Sequence, residues 1–179
     1  MKLTLLQSPT EDDWMLVKKC ALVTVGLDAK TKPTEWWKHH ILEARHSPIR
    51  ELKFVFYMQD VPYCTSVHLV RHHEGCQPYV RSQRNDRQDA YDRNAARQDA
   101  PVNMIWSINA EALMVIANKR LCAKADATTR QVIRQICEMV EDNYPEFRGL
   151  LVPMCEYHGG VCHEIAGCGM CRKAGETNA

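Results

Sequence analysis

Leu52, Phe54, Phe56 and Met58 alternate with Lys53, Val55, Tyr57 and Gln59, a period of two that predicts a strand with one face buried. A shorter strand is expected over residues 2–7, stopped by Ser8-Pro9. Helical spacing follows in Trp14, Val17 and Cys20, behind Thr10 as N-cap. A polar turn region runs from Gly26 to Pro33. Thr34 then caps a second helix in which Trp37, Ile41 and Ala44 face inward and Lys38 and Glu43 outward. Pro48 ends it, because the residue before proline is pushed out of the helical region. Asp60 and Pro62 close the Phe-rich strand and open a helix carrying Val67, Val70 and Arg71. Residues 74–104 are polar and arginine-rich and read as loop, with one short strand around Tyr79-Val80. Helical periodicity returns with Ile108, Leu113, Ile116 and Ala117, and again with Val132, Ile136, Met139 and Val140. Helices and strands that do not alternate strictly predict an α+β domain.

Composition adds mainly exclusions. The chain has 179 residues, 45% hydrophobic and 25% charged, which suits one globular domain. A formal net charge of +1 gives no global field for nucleic acid or an anionic membrane surface, so neither is expected as a partner. No apolar run approaches the ~20 residues needed to span a bilayer, and the N-terminal apolar stretch is too short for a signal peptide. A cytoplasmic location is the default expectation, the host cytoplasm if the gene is carried by a phage.

The stretch with most chemistry holds six arginines: Arg71, Arg81, Arg84, Arg87, Arg93 and Arg97. Planar guanidinium groups make bidentate contacts with phosphate, and several on one loop can form an anion cradle. The plainer alternative is a solvated loop whose arginines pair with Glu74, Asp86, Asp89 and Asp92.

The order His46-Ser47-Pro48, a Phe-rich strand, Arg71-His72-His73, Ser82-Gln83-Arg84 and Asn109-Ala110-Glu111-Ala112-Leu113 with Arg120 resembles flavin-dependent thymidylate synthases (ThyX). Gly160-Val161-Cys162-His163-Glu164 also resembles a G-x-C-x-E element found in the tail of some members. The resemblance implies an antiparallel sheet packed with helices, with residues 1–153 as the catalytic domain and 154–179 as a Cys/His-rich tail of the same domain. It implies reductive methylation of dUMP to dTMP with FAD, methylenetetrahydrofolate and NADPH, in a homotetramer. Ser82, Gln83, Arg84 and Arg120 inherit the dUMP-binding role. Ser82 and Arg120 act catalytically, Arg120 by stabilising charge on the pyrimidine. His46, Arg71, His72, His73 and Asn109 inherit the flavin side.

Several positions depart from the family pattern. His73 stands where the signature has arginine, and eight residues rather than seven separate the triplet from Ser82. Glu111 replaces the arginine of N-x-R, and Ile49-Arg50-Glu51 replaces F-E-H, placing Arg50 where the pattern has glutamate. The dUMP-side residues match the pattern better than the flavin-side ones do.

Cysteine placement gives a second theme. Cys155, Cys162, Cys168 and Cys171 crowd into the tail with His158 and His163, among glycines that let the backbone wrap an ion. A structural zinc on the four cysteines is one expectation, and reduced thiols packed at an interface are the other. His68 and His72 stand four apart, but without an accompanying metal motif. Two alternatives to thymidylate synthesis stay open: an enzyme of the same shape acting on a related pyrimidine nucleotide, and a non-catalytic nucleotide- and zinc-binding module.

Overall fold

The computed structural model describes residues 1–87 and 92–175. The sheet is antiparallel and built from β1 (Lys2–Gln7), β2 (Lys53–Pro62), β3 (Cys76–Val80) and β4 (Pro101–Asn109), in the order β1-β2-β4-β3. Phe54, Phe56, Met58 and Val61 from β2 lie on one face with Val102, Met104, Trp106 and Ile108 from β4, all buried. Each such side chain contributes about 1.5–3 kcal/mol on leaving water. The register between β2 and β4 slips between Met58 and Val61, where Asp60 takes a left-handed φ of 57°. The Asp60 amide donates to Asn103 Oδ1 at 3.2 Å, which stabilises the bulge. Edge strand β3 carries Pro78 at its centre.

Helices cover the buried face: α1 (Glu11–Val23), α2 (Glu35–Glu43), α3 (Tyr63–Leu69), α4 (Ala110–Arg120) and α5 (Ala127–Asn143). The α1 cap is reciprocal, since the Asp13 amide donates to Thr10 Oγ1 and the Thr10 amide to Asp13 Oδ2. Such a cap contributes about 1 kcal/mol. Thr34 caps α2 as expected, through the Trp37 amide. Helix α5 turns Val132, Ile133, Ile136, Cys137 and Val140 into the core and packs along α4.

Three sequence expectations change. The stretch 74–104 carries the expected strand at Tyr79-Val80, as β3, but its last four residues are the start of β4 rather than loop. Ile108 belongs to β4 rather than to a helix, and the chain passes from strand to helix at Asn109 with no loop between. Lys38 points inward: its ammonium pairs with Glu11 and sits 5.3 Å from the centre of the Trp14 ring, so the charge is neutralised while the stem is buried.

The tail has little apolar packing of its own. It comprises α6 (Met154–Tyr157) and a parallel pair, β5 (Val161–Cys162) with β6 (Arg172–Lys173). Arg45, at φ 50°, places its guanidinium 4.0 Å from the Tyr157 ring and donates to Asn118 Oδ1 at 2.6 Å. Asn118 is fully buried and donates onward to the Val152 carbonyl at 2.6 Å, tying the tail to α4. Among the described residues no helix is long and apolar enough to cross a membrane.

Candidate functional site

A cavity of about 630 Å³ opens where β4 becomes α4, within the size range of small-molecule sites. One face of α4 forms its floor through Glu111, Ala112, Val115, Ile116 and Lys119. That spacing keeps these side chains on a single helical stripe. The loop from α3 to β3 forms a wall with Arg71, His72, His73, Glu74 and Gly75, and Arg50 reaches in from the 3₁₀ turn Ser47–Glu51. A second hollow of about 260 Å³ shares His73, Gly75 and Asn109 with the first.

The loop is fixed to the strand–helix joint by close packing. The Asn109 amide donates to the Gly75 carbonyl at 2.9 Å. Asn109 Oδ1 accepts from the Ala112 amide at 2.9 Å, capping α4 and leaving the Nδ2 side of the amide as its donor group. Gly75 has φ 67°, and a Cβ there would come within 2.6 Å of Asn109 Nδ2. Glycine is required at that position on both counts.

Arg120 Nε donates to His72 Nε2 at 3.0 Å, and its Nη2 reaches the His68 carbonyl at 3.4 Å. Because an arginine only donates, Nε2 of His72 must be unprotonated, so neutral His72 carries its proton on Nδ1. Burial, with Arg120, Lys119 and His73 adding positive charge, lowers the His72 pKa to about 4. At neutral pH, His72 is therefore an uncharged donor in a cationic wall. His68 is engaged separately, its Nδ1 lying 3.0 Å from Thr129 Oγ1.

Two departures from the family pattern meet each other here. Arg50 Nε donates to Glu111 Oε2 at 2.6 Å and Arg50 Nη2 to Glu111 Oε1 at 3.2 Å, a bidentate pair at the cavity edge. The carboxylate raises the Arg50 pKa through this hydrogen bond and its charge. Relative to the pattern, the charges at positions 50 and 111 are exchanged, and each makes good the other. From the sequence Arg50 reads as a positive charge that compensates Glu111, but not as its direct partner, because the two lie on different elements. Lys119 was not marked as a site residue, although its spacing from Glu111 along α4 is a readable signal.

The fold gathers Arg71, His72, His73 and Asn109 around the cavity and holds Arg120 against His72. It does not bring Ser82, Gln83 and Arg84 to that cavity within one chain. They follow the far end of β3, a strand length of about 16 Å from the His73 side. Arg84 forms a bidentate pair with Asp86 at 2.8 and 2.7 Å, and the Arg84 amide donates to Ser82 Oγ. Arg97 likewise pairs with Asp99, so part of the arginine loop follows the solvated reading; Asp89 lies outside the described residues. His46 is exposed and contributes its carbonyl to the Ile49 amide rather than lining the cavity. The four tail cysteines line a different cavity.

No protein-family model and no curated protein sequence matches the chain significantly. Solved structures do. Thymidylate synthase X from Helicobacter pylori with FAD and dUMP superposes with a TM-score of 0.65 at 13% identity, covering 84% of this chain and 99% of that one. A second structure of that enzyme, also complexed with FAD and dUMP, gives 0.68 at 12% identity over 85% and 100%. The UMP/dUMP methylase PolB from Streptomyces cacaoi, bound to 5-Br dUMP, gives 0.62 at 14% over 84% and 96%. The likeness spans most of each chain. On this ground, the chain has the fold of the flavin-dependent thymidylate synthases.

Proposed function

We propose that the protein methylates a pyrimidine nucleotide at its ring, as a flavin-dependent thymidylate synthase acting on dUMP. One observation carries the reading: four of the five positions that the family resemblance assigns to the flavin side, Arg71, His72, His73 and Asn109 but not His46, converge on one cavity of this fold. That cavity fits such a ligand chemically. It offers fixed cations in Arg71 and Lys119, neutral donors in His72 and Asn109, and an edge carboxylate already neutralised by Arg50. FAD held there would, once reduced by NADPH, supply hydride, with methylenetetrahydrofolate as the carbon donor.

The protein's own part is binding, orientation and charge stabilisation. Arg71 and Lys119 attract anionic groups into the cavity. Arg120 fixes the tautomer and angle of His72, whose Nδ1–H becomes a stationary donor. Ser82 and Arg84 stand too far along β3 to serve the cavity of their own chain. Their dUMP-binding role requires the loop of a second copy, which favours an assembly such as a homotetramer.

Purified protein reconstituted with FAD should show flavin absorbance that survives gel filtration. With methylenetetrahydrofolate and NADPH it should release the C5 hydrogen of dUMP. Arg71→Ala should abolish FAD retention, and Arg84→Ala should weaken dUMP binding while leaving FAD bound. Protein that retains no FAD and releases no C5 hydrogen from any pyrimidine nucleotide refutes the reading. The related-nucleotide alternative draws on the likeness to a UMP/dUMP methylase. Comparing dUMP, UMP and dCMP in the same exchange assay separates the two. A non-catalytic nucleotide module would bind dUMP without exchange.

A further inference from the structure

The second and larger cavity lies between α4, α5 and the tail, about 1130 Å³ in volume. It is lined by Cys155, Cys162, Cys168 and Cys171, all free thiols. These residues come from three separate pieces of backbone. Cys155 sits on α6, Cys162 on β5, and Cys168 and Cys171 on the turn that enters β6. The parallel pairing of β5 with β6 sets Cys162 opposite Lys173 and so holds the approach to β6, with Cys171 level with Gly160, against the strand that carries Cys162. The Cys155 and Cys171 thiols share a hydrogen bond, with Cys168 and Cys162 within electrostatic reach. A Cβ on Gly167 would lie 3.5 Å from Cys162 Sγ, so the Cys168 turn runs directly beside that thiol. Gly169, at φ 82°, lets the chain reverse between Cys168 and Cys171.

Apolar packing does not account for this arrangement. From residue 154 to 175 Cys162 is the one buried side chain among the described residues, while Ile165 and Met170 are exposed. Segments this small and this poor in core are commonly held by a cross-link or a metal ion. Among the described residues no three Cys, His, Asp or Glu side chains already stand as a ligand set, so an ion would have to draw the four thiols inward.

We propose that the tail is a zinc-binding unit in which Cys155, Cys162, Cys168 and Cys171 supply four thiolates to one ion. The chemistry favours zinc: four sulfur ligands in tetrahedral geometry suit a borderline-soft divalent ion with no geometric preference of its own. Each thiol releases its proton to solvent on binding, so the ion and four thiolates carry a net charge of −2. Lys124, whose ammonium donates to the Ala166 carbonyl, and Lys173 across from Cys162 lie where they can offset it. His158 and His163 pack against each other with ring centres 4.6 Å apart and planes tilted by 58°, and are not part of this set. The four thiols lie outside the first cavity, although Lys119 on α4 lines both hollows, and the test is independent of catalysis.

The full-length protein, stripped of metal under reducing conditions, is titrated with Co²⁺ and then Zn²⁺. One equivalent of Co²⁺ should produce an intense thiolate-to-cobalt charge-transfer band and tetrahedral absorption, both erased by Zn²⁺. Cys168→Ser and Cys171→Ser should each lose the band, whereas Cys20→Ser and the double variant His158→Ala/His163→Ala should keep it. Alkylation mapped by mass spectrometry on the unmutated chain covers the case of a variant that fails to fold. Zinc should shield the four tail cysteines and leave Cys20 and Cys64 as reactive as before. Absence of the charge-transfer band, its persistence in Cys168→Ser, its loss in the histidine variant, or unchanged alkylation of the tail with zinc present would each overturn the proposal.

Discussion

Replacing Arg120 by methionine removes a charge and two hydrogen bonds while keeping much of the side-chain volume. Its main effect should appear on His72. The His72 ring has its pKa lowered from 6.5 to about 4, first by burial and then by Arg120, Lys119 and His73. At about 1.4 kcal/mol per pH unit, that difference would correspond to roughly 3 kcal/mol for a fully shielded ring. The ring is half exposed, and solvent screening reduces the figure to about 1–2 kcal/mol. Because the folded pKa lies below the unfolded value, this contribution is complete above pH 6.5 and is lost as the pH falls toward 4. A single charge a few ångströms away in a partly wet site is worth about 1 kcal/mol, so Arg120→Met should raise the His72 pKa measurably. Burial remains, so the value should not return to 6.5. NMR titration of the ring resonances, assigned with His72→Asn, measures both numbers. Urea unfolding of the unmutated chain and His72→Asn at pH 7 and pH 5 isolates the linked stability from that of other groups. A His72 midpoint near 6.5 before mutation, or one unmoved by Arg120→Met, refutes the assigned contact and its tautomer.

Three further outcomes follow from the geometry. Gly75→Ala combines a left-handed backbone with a Cβ 2.6 Å from Asn109, and should cost about 2–4 kcal/mol in denaturant unfolding; an unchanged midpoint would show that the loop is not pinned there. Arg50→Glu and Glu111→Arg each place like charges together at the cavity edge and should reduce FAD retention. The double exchange should recover most of that retention, and a double variant no better than either single one would mean the two residues do not act as a pair. Asn118→Ala leaves the Arg45 guanidinium and the Val152 carbonyl without their buried partner, at a cost of about 2–4 kcal/mol in thermal or urea unfolding.

Much of the framework was legible because local rules and tertiary packing agree. The alternation at Leu52–Met58 and the caps at Thr10 and Thr34 are stated by the sequence and appear in the fold. Strand β4 was not, for a physical reason. It passes directly into α4 at Asn109, so no turn residue marks the change of period, and Ile108 blends into the helical pattern of Leu113 and Ile116. Lys38 was misassigned because its position on α2 faces Trp14 and Glu11, partners 24 and 27 residues away in the chain. At the site, motif order was enough to connect Arg71, His72, His73 and Asn109. It could not show how far the strand at Tyr79-Val80 carries Ser82 from His73, since the span of an extended strand is not visible in the spacing of a motif. Compensation of Glu111 by Arg50 is readable from the exchanged charges, but their direct pairing became visible only when two elements distant in sequence were seen to touch.

Pro78 sits midway along β3, at the open margin of the sheet. A proline has no amide hydrogen, so this rim offers an incomplete row of donors to any incoming backbone. Lateral growth of the sheet through that side is discouraged, and copies of the chain are left to associate through helices and loops. An encounter of that kind leaves the Ser82–Arg84 loop at the end of β3 available to reach across to a neighbour.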